Sequence, residues 1–258
     1  EAAVDWLQKH ATVDTDYTAF FLDLWHPGVA SLKYAADCAE LNLRIKGIFH
    51  AGTWDEHDFL TKSAGASGWA YRLEQSIIEA ASTIYVGTHF HSRLLQKKHE
   101  CSEKVEVITL PIVQFSTRKL KGPVVVWPHR IADEKGPEDF DYIVTKYRQR
   151  YPPSPVTFIR TMDEWTTKDA YYDTLQKSAV AVSTAYQETF GIAMLEAMQA
   201  GCHCVVPDRL SYQELFPQAQ RYRTFDEAVD LIHEAITSGS VAPVTYRASL
   251  DWLERVTL

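Results

Sequence analysis

Ser183-Thr-Ala-Tyr-Gln-Glu188-Thr-Phe-Gly191-Ile-Ala-Met-Leu-Glu196-Ala-Met-Gln-Ala-Gly201 reads as the end of a strand, a tight loop and a helix. The apolar run Ala179 to Ser183 supplies the strand, and Gly201 stops the helix expected over Phe190 to Ala200. The first turn of such a helix offers backbone N–H groups with no partner inside the helix, and the helix dipole adds positive potential there. An anionic or hydroxyl-rich ligand is favoured at Phe190, Gly191 and Ile192. Gly191 has no side chain to hold the ligand off the backbone. Glu188 in the loop and Glu196 about two turns along are hydrogen-bond acceptors for its hydroxyls. An ordinary amphipathic helix with two solvated glutamates is the competing explanation. The Phe-Gly pair, the Ser-Thr-Ala strand end and the trailing Ala-Gly favour a site.

Outward from this stretch, short apolar runs alternate with amphipathic ones, the rhythm of an α/β fold with parallel strands. Strands are expected over Ala19 to Trp25, Arg44 to Phe49, Thr83 to Gly87, Val105 to Leu110, Val124 to Trp127, Val156 to Ile159, Ala179 to Ser183 and Cys204 to Val206. Helices are expected over Ser31 to Leu41, Trp69 to Ala81, Ser92 to Lys98, Glu138 to Tyr151, Lys168 to Lys177, Phe225 to Thr237 and Arg247 to Val256. The charged, Gly-Pro-containing stretch Thr117 to Pro123 marks a boundary, giving domains over 1–117 and 118–258. Two Rossmann-like halves would place a ligand in the cleft they face, beyond the carboxyl ends of the strands. The first half is short and is expected to be incomplete, lacking its opening strand and Gly-rich loop. Arg118-Lys119-Leu120-Lys121 is a candidate for a local basic groove, with a solvated linker as the favoured alternative.

Val124-Val-Val-Trp-Pro128-His129-Arg130-Ile-Ala-Asp-Glu-Lys135-Gly136-Pro137 places Arg130 and Lys135 just after a strand. Two cations at such a strand end suit a diphosphate, and arginine binds it bidentately. A surface ion pair of Arg130 with Asp133 or Glu134 is the alternative.

The chain has 258 residues and a formal net charge of −8, which argues against a surface built throughout to bind polyphosphate. No apolar run reaches the roughly 18 residues of a membrane span. Glu1-Ala2-Ala3-Val4-Asp5 has neither the basic start nor the apolar core of a signal peptide. Four irregularly spaced cysteines suit a reduced, cytoplasmic protein, and Cys202-His203-Cys204 is too tightly spaced for ordinary zinc chelation.

The Glu188–seven residues–Glu196 element, followed by Gly-Cys-His-Cys-Val-Val-Pro-Asp208, resembles the donor site of retaining GT-B glycosyltransferases related to glycogen synthase and the bacterial mannosyltransferases. The resemblance covers about Val124 to Phe216. Trp-Pro-His-Arg130 and Tyr212-Gln-Glu-Leu-Phe-Pro217 are most similar to the tRNA-queuosine mannosyltransferase branch. It implies that Glu188 with Phe190, Gly191 and Ile192 holds the donor sugar, that Glu196 holds the ribose, and that Arg130 and Lys135 hold the diphosphate. It further implies that His50, in Ile48-Phe-His50-Ala-Gly52, lies near the sugar's C6 hydroxyl, and that no metal or cofactor is needed beyond a nucleotide-diphosphate sugar such as GDP-mannose or a UDP-sugar. The acceptor would be a nucleoside of tRNA or DNA, a lipid or a small glycoside. Two alternatives stay open: a catalytically silent sugar-nucleotide-binding module, and a metal-dependent hydrolase built on His50, His57, His89 and His91.

Overall fold

Runs such as Val124-Val-Val-Trp127 and Ser178-Ala-Val-Ala-Val182 are apolar on both faces, so they form strands only where helices cover both sides of a sheet. In the computed structural model, which describes residues 2–64, 68–115, 120–161, 167–239 and 244–247, they do so in two parallel sheets. The chain divides into two compact units between Leu110 and Pro111. The expected boundary at 117/118 falls at residues 116–119, which lie outside the described residues, as does the expected helix from Arg247 beyond that residue.

The first unit carries helix α1 (Ala2–His10), β1 (Asp16–Phe21), α2 (Gly28–Cys38), β2 (Asn42–Ile48), α3 (Phe59–Ala64), α4 (Trp69–Ala80), β3 (Thr83–Val86), α5 (His89–His99) and β4 (Val105–Val107). Its four strands are parallel and lie in chain order, β1-β2-β3-β4. Leu24, Ile45, Ile77, Ile84, Val86 and Leu95 form its core.

The second unit holds β5 (Gly122–Trp127), α6 (Pro137–Arg150), β6 (Thr157–Arg160), α7 (Lys168–Lys177), β7 (Ser178–Val182), α8 (Ile192–Gln199), β8 (His203–Pro207), α9 (Tyr212–Leu215), β9 (Arg221–Tyr222) and α10 (Phe225–Ser238). Its core joins Val125 and Trp127 of β5, Val180 and Val182 of β7, Phe140 and Ile143 of α6, and Ile232 of α10. Each such apolar side chain contributes roughly 1.5–3 kcal/mol on burial. Helix starts follow local chemistry. Pro137 occupies the first turn of α6, and Thr224 and Glu227 form a capping box on α10.

The strand order β6-β5-β7-β8-β9 decides where a ligand belongs. The chain leaves β5 for β6 on one side, then returns to β7 on the other. Such a reversal opens a crevice at the carboxyl ends of the two central strands, because their outgoing loops diverge. Those loops are 128–136 and 183–191, which carry Arg130, Lys135 and Glu188.

Several sequence-based boundaries move. The helix expected from Phe190 begins at Ile192, because Gly191 stands at its N-cap in the left-handed region with φ 81° and Phe190 is buried below it. β1 and α2 begin three residues earlier than expected, no expected element covers α1, and the short α3, α9 and two-residue β9 span too few residues for a periodicity to announce them. Lys121 is not a solvated linker residue: its ammonium lies 3.0 Å from Leu175 O and 2.8 Å from Ala200 O, at the carboxyl ends of α7 and α8.

Candidate functional site

The loops after β5 and β7 are bound to each other by their backbones. Glu134 O accepts from Tyr186 N at 2.8 Å and from Gln187 N at 3.2 Å. Thr184 Oγ1 accepts from Trp127 Nε1 at 2.9 Å and sits 2.9 and 2.7 Å from the carbonyl oxygens of Lys135 and Gly136. Gly136, at φ 65°, allows this approach, since a Cβ there would lie 2.8 Å from Thr184 O. From outside, Arg209 donates to Ala185 O and Thr184 O at 3.1 Å each and covers the Tyr186 ring, while Tyr222 donates to Ser183 O at 2.9 Å. The loop of residues 183–187 is therefore held on both sides.

Within this frame Lys135, buried on a single 3-10 turn, points at the 187–188 corner. Its ammonium donates to Gln187 O at 2.7 Å, with Gln187 Oε1 at 3.3 Å and Glu188 Oε2 at 3.2 Å. Three N–H donors face three acceptors, so the charge is fixed in place. The other oxygen of Glu188 accepts from Gly191 N at 2.9 Å. A cation, a carboxylate and the start of α8 thus form one connected group. Ile192 is half exposed at the first position of α8, where helix geometry leaves its N–H without a partner inside the helix.

Arg130 takes the alternative weighed for it: its Nη2 bonds Glu134 Oε1 at 2.6 Å. Burial, the largest single influence, would raise the Glu134 carboxyl, but the Arg130 hydrogen bond, a backbone hydrogen bond and the charges of Arg130 and Lys135 together hold the group below its usual range. The Arg130 side chain is still 66% exposed, leaving donors open to solvent. His129 adds no charge. It is buried beside Ser183 Oγ at 2.9 Å, and burial, aided by the Lys135 ammonium, pushes its pKa down to about 3.

Glu196 departs from the picture of a solvated helix glutamate. It is 8% exposed, and its two oxygens each accept a tyrosine hydroxyl at 2.9 Å, Oε2 from Tyr171 and Oε1 from Tyr172. Neither tyrosine was marked by motif or spacing, nor were Gln187, Thr184 and Arg209. Two adjacent tyrosines on a helix carry no signal of a shared target.

In the first unit, His50 is exposed after β2, with Nε2 2.9 Å from Leu22 O. The loop behind it is anchored by the fully buried Glu74, which accepts from Trp25 Nε1, Thr53 N and Thr53 Oγ1 at 2.9, 2.7 and 2.6 Å, with His99 Nε2 at 2.5 Å. Among the described residues no three His, Cys, Asp or Glu side chains are placed to share a metal ion, so the hydrolase alternative finds no ligand set there. His91 is buried against Trp54, and burial first, with the neighbouring His50 second, lowers its pKa to about 3. Cys202 and Cys204 are buried free thiols, and burial raises both pKa values, that of Cys202 to about 11. No described helix is long and apolar enough to cross a membrane.

Residues 131–238 match the family model of the glycosyl transferases group 1. The tRNA-queuosine alpha-mannosyltransferase of Drosophila melanogaster is 27% identical over 162 residues, covering 49% of this chain and 43% of the relative. The chain thus spans less than half of that relative's length. Among solved structures, S. aureus TarM in complex with UDP has a TM-score of 0.65 at 14% identity, over 99% of this chain and 57% of that one. Anabaena HepE in complex with UDP and glucose has a TM-score of 0.65 at 13% identity, over 95% of this chain and 74% of that one. With its parallel α/β units and the strand-end loops of the second, the chain has the GT-B type of fold of these structures, and residues 131–238 of its second unit are similar to the group 1 glycosyl transferases.

Proposed function

We propose that the chain carries the donor side of a retaining glycosyltransferase, moving a hexose from a nucleotide-diphosphate sugar to a hydroxyl on a nucleoside of tRNA. The observation that supports this most is the Lys135 ammonium held at 2.7 Å from Gln187 O and 3.2 Å from Glu188 at the reversal of the sheet, next to the start of α8. UDP in the structures of similar fold supports the donor class, and the Drosophila relative supports tRNA as the acceptor.

When the sugar–phosphate bond breaks, its electron pair leaves with the diphosphate and the sugar gains positive charge. Lys135, the open donors of Arg130 and the first amides of α8 stabilise that leaving group, a preorganised contribution of several kcal/mol. Glu188, fixed by Lys135 and Gly191 N, orients the sugar hydroxyls, with Phe190, Gly191 and Ile192 shaping the pocket. His50, exposed after β2, is the first unit's candidate for a part in the transfer. The acceptor hydroxyl then attacks from the face the diphosphate leaves, and its proton passes to the departing phosphate. The cations at the diphosphate take the part that a metal plays in other transferases.

A thermal-shift panel of UDP-, GDP- and ADP-sugars tests the donor assignment, because a ligand that binds only the native state raises its stability. One nucleotide series should give a shift of several degrees that Lys135→Met removes. Absence of any shift, or an equal shift in Lys135→Met, overturns it. Mass analysis of tRNA incubated with the stabilising donor then tests the acceptor.

A further inference from the structure

The geometry points to Tyr171 and Tyr172 as a two-sided bracket that positions Glu196 to take both hydroxyls of a nucleotide ribose. This rests on the donor assignment above and adds to it which side chains make the carboxylate selective. Glu196 lies on α8 and the tyrosines on α7, 25 and 24 residues earlier. Adjacent helix residues point about 100° apart and rarely serve one group. Here they do so because the carboxylate stands between them, with one oxygen to each hydroxyl.

A carboxylate has about four acceptor positions. Among the described residues the tyrosines occupy two, one per oxygen, leaving one on each oxygen. Two open positions on two oxygens match a vicinal diol, and the tyrosines fix the plane in which they point. Both hydroxyls donate to Glu196, and burial is the first cause that raises both tyrosine pKa values; the Glu196 charge and hydrogen bond add to it, while at Tyr172 the Lys168 ammonium partly offsets the rise. The Tyr172 ring is itself seated, with Phe115 edge-on at 5.5 Å and Lys168 Nζ 5.4 Å from its centre. Tyr171 is the more buried, so it serves as the fixed side.

A competing possibility is that the tyrosines close the site and must release Glu196 before a ribose binds. The two make opposite predictions. Isothermal titration of UDP and GDP, each beside its 2′,3′-dideoxy form, into the whole chain and its Tyr172→Phe and Tyr171→Phe variants separates them. Phenylalanine keeps the ring and removes only the donor. For whichever nucleotide binds, the wild-type protein should prefer the ribo form by about tenfold or more, the worth of hydrogen bonds to a charged group. In Tyr172→Phe that preference should shrink by about fivefold while dideoxynucleotide affinity stays unchanged, a pattern that a general loss of structure does not produce. Tighter ribonucleotide binding, or an unchanged ribo/dideoxy ratio in both variants, overturns the bracket. No binding of either nucleotide by the wild-type protein overturns the donor assignment itself, and the bracket with it.

Discussion

Lys135 and Arg130 show how differently two cations on one loop behave. Lys135 is buried with all three of its N–H donors facing acceptors, whereas Arg130 reaches into solvent and pairs at one end with Glu134. Replacing Lys135 by methionine keeps the stem but leaves Gln187 O and Glu188 short of a donor. A loss of about 1–3 kcal/mol in chemical denaturation is expected, together with a drop in transfer of at least about 100-fold. Arg130→Ala should cost no more than about 1 kcal/mol, in the range of exposed ion pairs, and weaken the nucleotide rather than the fold. Urea titration and nucleotide titration of the same two proteins separate these effects. If Arg130→Ala proves the more destabilising, the division of roles is wrong.

Loops and helix starts are the next scale, and two glycines test how they are joined. Gly136 and Gly239 have nearly the same left-handed backbone, φ 65° and 61°. A Cβ on Gly136 would meet Thr184 O at 2.8 Å, while one on Gly239 would meet nothing among the described residues within 4 Å. Alanine at Gly239 should therefore cost only the left-handed penalty of about 1 kcal/mol. Alanine at Gly136 adds the forced separation of the two strand-end loops and should cost about 3 kcal/mol. Equal losses in denaturant unfolding of the two variants would show that the loops yield freely. The same loops explain why the 183–191 segment keeps its shape with so little regular structure: Glu134 O, Arg209 and Tyr222 satisfy its backbone from both sides.

Across the whole molecule, one buried histidine in each unit couples stability to pH. His91 and His129 both have folded pKa values of about 3, against the ordinary 6.5 that the unfolded chain recovers. Between those values the unfolded state binds more protons, so stability falls as pH drops below 6.5 and is fully present above it. From pH 6.5 to 5, each histidine contributes about 2 kcal/mol of loss at most. The unfolding midpoint should fall over that interval, and His129→Asn should flatten the slope even if it lowers the starting value. A midpoint independent of pH between 6.5 and 5 would mean that these histidines are protonated in the fold.

Local chemistry was enough for much of this. Val124 to Trp127, the Lys168–Lys177 helix, the Pro137 start, the Gly201 stop and the strand–loop–helix around Glu188 follow from apolar runs, caps and helix breakers, which act over a few neighbouring residues. The same local signals marked Arg130, Lys135, Glu188 and Glu196 as a group. They also offered the Arg130–Glu134 pair, four residues apart, but did not reveal that Lys135 spans 53 residues to Glu188, or that Tyr171 and Tyr172 enclose Glu196. Those contacts exist because a parallel sheet sets the ends of strands distant in sequence side by side, and the order β6-β5-β7 determines which ends meet. Residue spacing encodes what neighbours in the chain do. Which carboxylate is bracketed, and which cation is buried, depends on where the crossovers lay the strands and on the cost of leaving any charge at that edge without a partner.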